Sequence, residues 1–210
     1  MTDVIFEAVA LGVDSVISGS VVSMIVLVLT LSSKLNAYAA MQETYAQSIT
    51  YYRQYSKYNN TEVVSADALS ALFYYDSNMD IFIVDANFDA VNEDARGVWV
   101  YAKKDGVVKS YKAGFTVNDA NSTYTVKYTG KNITYPFGSE ADIAASAYEQ
   151  YLNGIMPEYK VAGSYLTYTE ISANMEADRV FKARLLEDLS TRPDGMYKGG
   201  TVTGIVMTVK

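Results

Sequence analysis

The stretch "SVVSMIVLVLTLSSKLNAYAAMQETYAQSITYYRQYSKYNN", residues 20–60, decides how the rest of the chain is read. Its first half is apolar all round. Its second half carries tyrosines at helical spacing, and no Pro or Gly separates the two. Working back towards the N-terminus, no residue between Ser15 and Ser33 is charged. At 1.5 Å rise per residue that run would span roughly 28 Å as a helix, close to the thickness of a hydrocarbon core. A cleaved signal peptide would begin basic, whereas Asp3, Glu7 and Asp14 make this end acidic. A soluble buried helix would need a large enclosing core, so the pattern predicts a membrane-competent helix.

Working forward, Tyr38, Met41, Tyr45, Ser48 or Ile49, Tyr52 and Tyr55 fall at alternating three- and four-residue steps, a single stripe of period 3.5. No helix breaker interrupts until "YNNTE", so one helix from about Ser15 to Tyr58, roughly 65 Å long, is expected. Its amphipathic second half is expected to lie against the rest of the chain. Two features of the apolar half suggest lateral contacts. Ser15, Gly19 and Ser23 recur every four residues and place small side chains on one face, which lets helix backbones approach closely. Glu7 and Asp14 lie in or beside apolar sequence, where a carboxylate is costly unless it is paired, interfacial or neutralised by a neighbour. The plainer explanation, that both mark the wet end of the helix, fits Asp14 better than Glu7.

Composition narrows the possible functions. The 210 residues carry a net charge of -7 with no basic cluster, which argues against a nucleic-acid partner. The absence of Cys and His removes disulfides, thiolate nucleophiles, imidazole bases and ordinary zinc sites together. After the helix (1–60), residues 61–210 read as one head domain, making the chain α+β with an antiparallel sheet and two to three helices. Within it, a short helix starts at an N-cap Ser65, with Leu69, Leu72 and Phe73 inward, and 79–86 is a strand. Asp105-Gly106 and Gly130 turn two hairpins. Ser139 caps a helix with Asp142 as its capping-box partner and Ile143, Ala147, Tyr148, Tyr151, Leu152 and Ile155 as its inner stripe. Residues 164–171 then read as a strand, "MEADRVFKARLLEDLS" as a helix, Pro193-Asp194-Gly195 as a turn and "GGTVTGIVMTVK" as the closing strand.

Candidate chemistry is sparse. Asp76, Asn78 and Asp80, and again Asp85, Asn87 and Asp89, have the alternating oxygen spacing of a calcium loop. Both lack the sixth-position Gly and the twelfth-position Glu, and turn or loop residues explain them adequately. Glu140 with Asp142 reads as favourable charge in a first helical turn, and Glu187 with Asp188 as a solvated face. No nucleophile elbow, P-loop or dinucleotide fingerprint occurs, so neither an enzyme nor a cofactor is expected. Asn59-Asn60-Thr61, Asn121-Ser122-Thr123 and Asn132-Ile133-Thr134 match the glycosylation acceptor pattern. The 19 tyrosines suit half-buried strands and subunit interfaces.

An apolar N-terminal helix with an early carboxylate, continuing into an amphipathic half before a sheet domain, resembles the type IV pilins and pseudopilins. The resemblance covers the first 60 or so residues and the general layout. It implies helices bundled at a filament core, subunits held in the membrane before assembly, and Glu7, after Phe6, as the acidic residue that pairs with a neighbour's terminal amine. The family's C-terminal cysteine pair is missing. The expected function is a non-catalytic subunit of a surface filament or membrane-associated assembly, its partners being further copies of itself and, before assembly, the bilayer. Glu7, Asp14, Ser15, Gly19 and Ser23 are its candidate interface. The alternative is a single-span anchored accessory or binding domain of a secretion, transport or conjugation machine. Topology pulls against a surface location: Lys34, Arg53 and Lys57 follow the span, which by the positive-inside rule leaves the large domain in the cytoplasm. A processed leader carrying basic residues would reconcile the two.

Overall fold

The computed structural model describes residues 2–75, 78–159, 166–188 and 201–210, and within the first helix the side chains at 10, 12–40, 42–43 and 54–55. The chain is α+β: a long apolar N-terminal helix, then a nine-stranded, mostly antiparallel sheet with three further helices among the described residues. It divides into two compact units, Met1–Thr50 and Tyr51–Lys210.

Helix α1 runs over Thr2–Tyr55 and passes into a 3-10 turn, Ser56–Tyr58. At 54 residues its contour length is about 80 Å. It therefore starts well before Ser15 and takes in the positions of Glu7 and Asp14.

The sheet unit contains β1 (Thr61–Val64), α2 (Ser65–Tyr74), β2 (Asp80–Asn87), β3 (Gly97–Lys104), β4 (Val107–Asn118), β5 (Thr123–Tyr128) and β6 (Lys131–Pro136). There follow α3 (Glu140–Leu152), β7 (Glu158–Tyr159), α4 (Tyr168–Asn174), β8 (Val180–Asp188) and β9 (Thr201–Val209). The strand order is β1-β8-β9-β2-β3-β4-β5-β6, with β7 paired to β4. One pair departs from the antiparallel expectation: β9 lies parallel to β2, Gly204 opposite Asp80 through Thr208 opposite Val84. Both strands are central and buried on both faces, which suits nearly continuous apolar runs such as "IFIV" and "GIVM". Gly204 allows their close approach, since a Cβ there would collide with the backbone carbonyl of Asp80.

The β3–β4 hairpin turns at Asp105 and Gly106, both with positive φ (49° and 75°), the backbone a two-residue type I′ turn demands. Between β5 and β6 the turn is Thr129-Gly130, and only Gly130 has a positive φ (72°). Strand alternation divides β2. Phe82 turns to one face, where Tyr148 and Tyr151 of α3 meet it at ring-centroid distances of 5.3 and 5.6 Å. Ile81, Ile83 and Asp85 turn to the other, which the end of α2 reaches: Lys103, opposite Ile81, donates from Nζ to the carbonyl of Tyr75 (2.7 Å).

Several local expectations are overturned. Residues 180–188 form a strand, not a helix. Phe181 and Ala183 are buried while Lys182 and Arg184 are exposed, and pairing with β1 on one side and β9 on the other overrides the helix-forming Ala, Arg and Leu. Residues 168–171 are helical, not extended. Thr167 and Glu170 make a capping box in which the Thr167 amide donates to Glu170 Oε2 (2.6 Å). Ser65 is the first residue of α2 rather than its N-cap, and its hydroxyl donates to the carbonyls of Glu176 and Arg179. Ser139 holds the N-cap position of α3 without a side-chain cap bond, so no capping box with Asp142 forms. Leu152 is exposed because α3 ends there, whereas Ile143 and Ala147 are buried. The expected turn at 193–195 lies outside the described residues.

Candidate assembly helix and the buried polar cluster

Within α1, Gly12–Ala40 is long and apolar enough to cross a membrane by length and composition, and none of its most apolar stretch is buried. Its 29 residues span about 44 Å, more than a hydrocarbon core. Leu, Val, Ile and Met are exposed all around the helix, from Val16 (72%) to Leu35 (66%). Three of its hydroxyls are satisfied within the helix. Ser20 Oγ donates to Ile17 O (2.8 Å), Ser23 Oγ to Gly19 O (2.8 Å) and Thr30 Oγ1 to Val26 O (2.7 Å). Such back-bonding is how Ser and Thr enter an apolar medium without an orphaned donor.

Of the candidate interface residues, Asp14, Ser15, Gly19 and Ser23 are exposed on α1, and a Cβ built on Gly19 meets nothing. Glu7 lies on the same helix, but its side chain falls outside the described set. The tyrosine stripe is described only at its ends: Tyr38 is exposed (66%) and Tyr55 is buried. Met41, Tyr45, Ser48, Ile49 and Tyr52 lie outside the described side chains.

The last turn of α1 enters the sheet unit through aromatic contacts. The Tyr55 and Tyr58 rings meet Tyr75 edge-on at 5.3 and 5.7 Å, and the Tyr58 and Tyr75 hydroxyls are 2.6 Å apart. Lys57 Nζ lies 4.9 Å from the Tyr58 ring centroid. Burial, with the Tyr75 hydrogen bond second, pushes the Tyr58 phenol up to about 12. This junction was only half legible in the sequence: the stripe pointed to Tyr55, but nothing named Tyr75 as its partner.

Three of the six calcium-spaced residues fall on a strand, and Asn78 lies in the turn before it. Asp80, Asp85 and Asn87 belong to β2 and Asp89 to the bend after it, while Asp76 lies outside the described residues. Asp80 pairs with Lys104 at 3.9 Å. Asp85 is buried and meets Arg179, whose Nε donates to Asp85 Oδ1 at 3.2 Å and whose terminal nitrogen donates to Ala86 O. Burial pushes the Asp85 carboxyl up, against the opposing pull of the Arg179 guanidinium. Among the described residues no group of three or more acidic side chains converges on a point that could hold a metal. On the same face of the sheet, Tyr101 Oη and Asn87 Nδ2 are buried without a protein hydrogen-bond partner. Arg179 also borders an open depression with Glu176, Asp178, Val180, Val209 and Lys210, where acids and bases are mixed and no nucleophile–base pair is set up. Sequence reasoning missed Arg179 because it placed this residue inside a helix expected over 175–190.

The class this geometry defines is an α+β sheet domain preceded by a long, exposed apolar helix. No protein-family model, no curated protein and no solved structure matches the chain.

Proposed function

We propose that this chain is a non-catalytic structural subunit of a surface filament or membrane-associated assembly, held in the bilayer by α1 and polymerising through it. The observation that carries the proposal is the exposure of Gly12–Ala40 around its whole circumference. An apolar surface of that extent is not left to water. Lipid and the same helix of further copies are the two environments that suit it, and the subunit would use them in turn. The hydroxyls bonded back to the helix support both, since neither environment offers water to a donor. The row Ser15, Gly19 and Ser23 supplies a face on which two such helices could approach closely. Glu7 would be neutralised by a neighbouring subunit.

The competing function, a single-span anchored accessory domain, needs the helix only as an anchor. Replacing Ser15, Gly19 and Ser23 together with Leu separates them. The triple variant should still insert into membranes, because Leu is the more apolar residue. It should lose self-assembly, measured as oligomers trapped by amine cross-linking in the membrane. Unchanged oligomers in the variant would favour the accessory domain.

A further inference from the structure

Strands β4, β5 and β6 present one face to solvent. Thr116 pairs with Thr125 and Thr125 with Thr134 across the three strands, and the Thr125 and Thr134 hydroxyls are 3.0 Å apart. Tyr124, Val126 and Tyr128 alternate with them and are buried on the other side. Residues i and i+2 of a strand share a face. Asn132 and Thr134, the amide and hydroxyl residues of Asn132-Ile133-Thr134, therefore both stand on the open face, and both are exposed. Asn121 is exposed in the turn that leads into β5, with Ser122 left-handed (φ 51°) and Thr123 beginning the strand on the face of Thr125. Asn59-Asn60-Thr61 differs: it opens directly from buried Tyr58, and the Thr61 hydroxyl is bonded to the Lys57 carbonyl. In addition, β6 ends the strand path, so among the described residues its outer row of backbone groups meets no further strand of this sheet. Such an edge is a template for unwanted strand pairing unless something bulky or charged stands on it.

We infer that Asn121 and Asn132 are N-glycosylation sites, and that the glycan on Asn132 shields the β6 edge; this rests on the surface location proposed above. The co-reactant is a polyprenyl-diphosphate-linked oligosaccharide, delivered by a transferase. The carboxamide nitrogen forms a bond to the anomeric carbon, the anomeric C–O bond breaks, the diphosphate leaves with the electron pair, and the amide gives up one proton.

The test is intact-mass and peptide-mapping spectrometry of the full-length protein isolated from the cells that make it. Asn121→Gln, Asn132→Gln, Thr134→Val and Thr134→Ser would be compared with the parent, alongside labelling of intact cells with a membrane-impermeant amine reagent. The parent should exceed the 23.1 kDa of the bare chain. Each Asn→Gln variant should lose one glycan mass, Thr134→Val should match Asn132→Gln, and Thr134→Ser should keep the modification. Bare Asn121 and Asn132 in a sheet domain labelled from outside would overturn the glycosylation alone. Bare residues in a domain shielded from the reagent would overturn it together with the surface location.

Discussion

Tyr58 and Arg179 carry the most specific residue-scale consequences. The Tyr58 hydroxyl is tied to Tyr75, and burial holds its phenol at about 12 against an ordinary value of 10.0. The folded state therefore binds that proton more tightly than the unfolded chain does. Its stabilising contribution is complete below pH 10.0 and is lost as the pH climbs through about 12. A tyrosinate absorbance titration should show several late-ionising phenols, Tyr101, Tyr128 and Tyr151 among them, and one fewer in Tyr58→Phe; urea unfolding of that variant at neutral pH should cost about 1 kcal/mol for the lost hydrogen bond. At Arg179 the stakes are larger. Arg179→Ala leaves Asp85 buried without its counter-charge, and urea unfolding should show a loss of about 3 kcal/mol. Adding Asp85→Asn to that variant should recover part of the loss, because the stranded charge is then gone. Equal stability of the two variants would show that Asp85 is already neutral in the fold.

At the scale of elements, Gly204 is the point where β9 and β2 come closest. Gly204→Ala should destabilise the sheet unit by about 2 kcal/mol, since the collision is with backbone that cannot rotate away, and thermal melting would read it. The parallel pairing behind that contact was not legible in the sequence, because β9 reaches β2 from the far end of the chain. The hairpins were legible because their demand is local: Asp105-Gly106 needs two positive φ angles in succession, and the sequence says so in two letters. The calcium-like spacing was weak evidence in the sequence, since D-x-N has the period of a strand as well as of a liganding loop, and Asp85 and Asn87 indeed belong to β2. Residues 180–188 were misread because Ala, Arg and Leu favour helices, while two flanking strands in register decide otherwise. Before them, the Thr167…Glu170 box did announce α4 in the sequence, although residues 164–171 read as a strand. The Asp85–Arg179 pair spans 94 residues of chain, and no local pattern connects its members.

For the whole molecule, the long helix and the sheet domain after it were the most legible features, because an uncharged run and a stripe of period 3.5 need no partner to be recognised. What that helix assembles with is a property of more than one copy. Negative-stain electron microscopy of the full-length protein as detergent is withdrawn, beside Glu7→Ala, tests the central claim most directly. Regular filaments in the parent that weaken or vanish in the variant are the predicted result. Dispersed particles or amorphous aggregate in both would contradict a self-assembling subunit and leave α1 as a simple anchor.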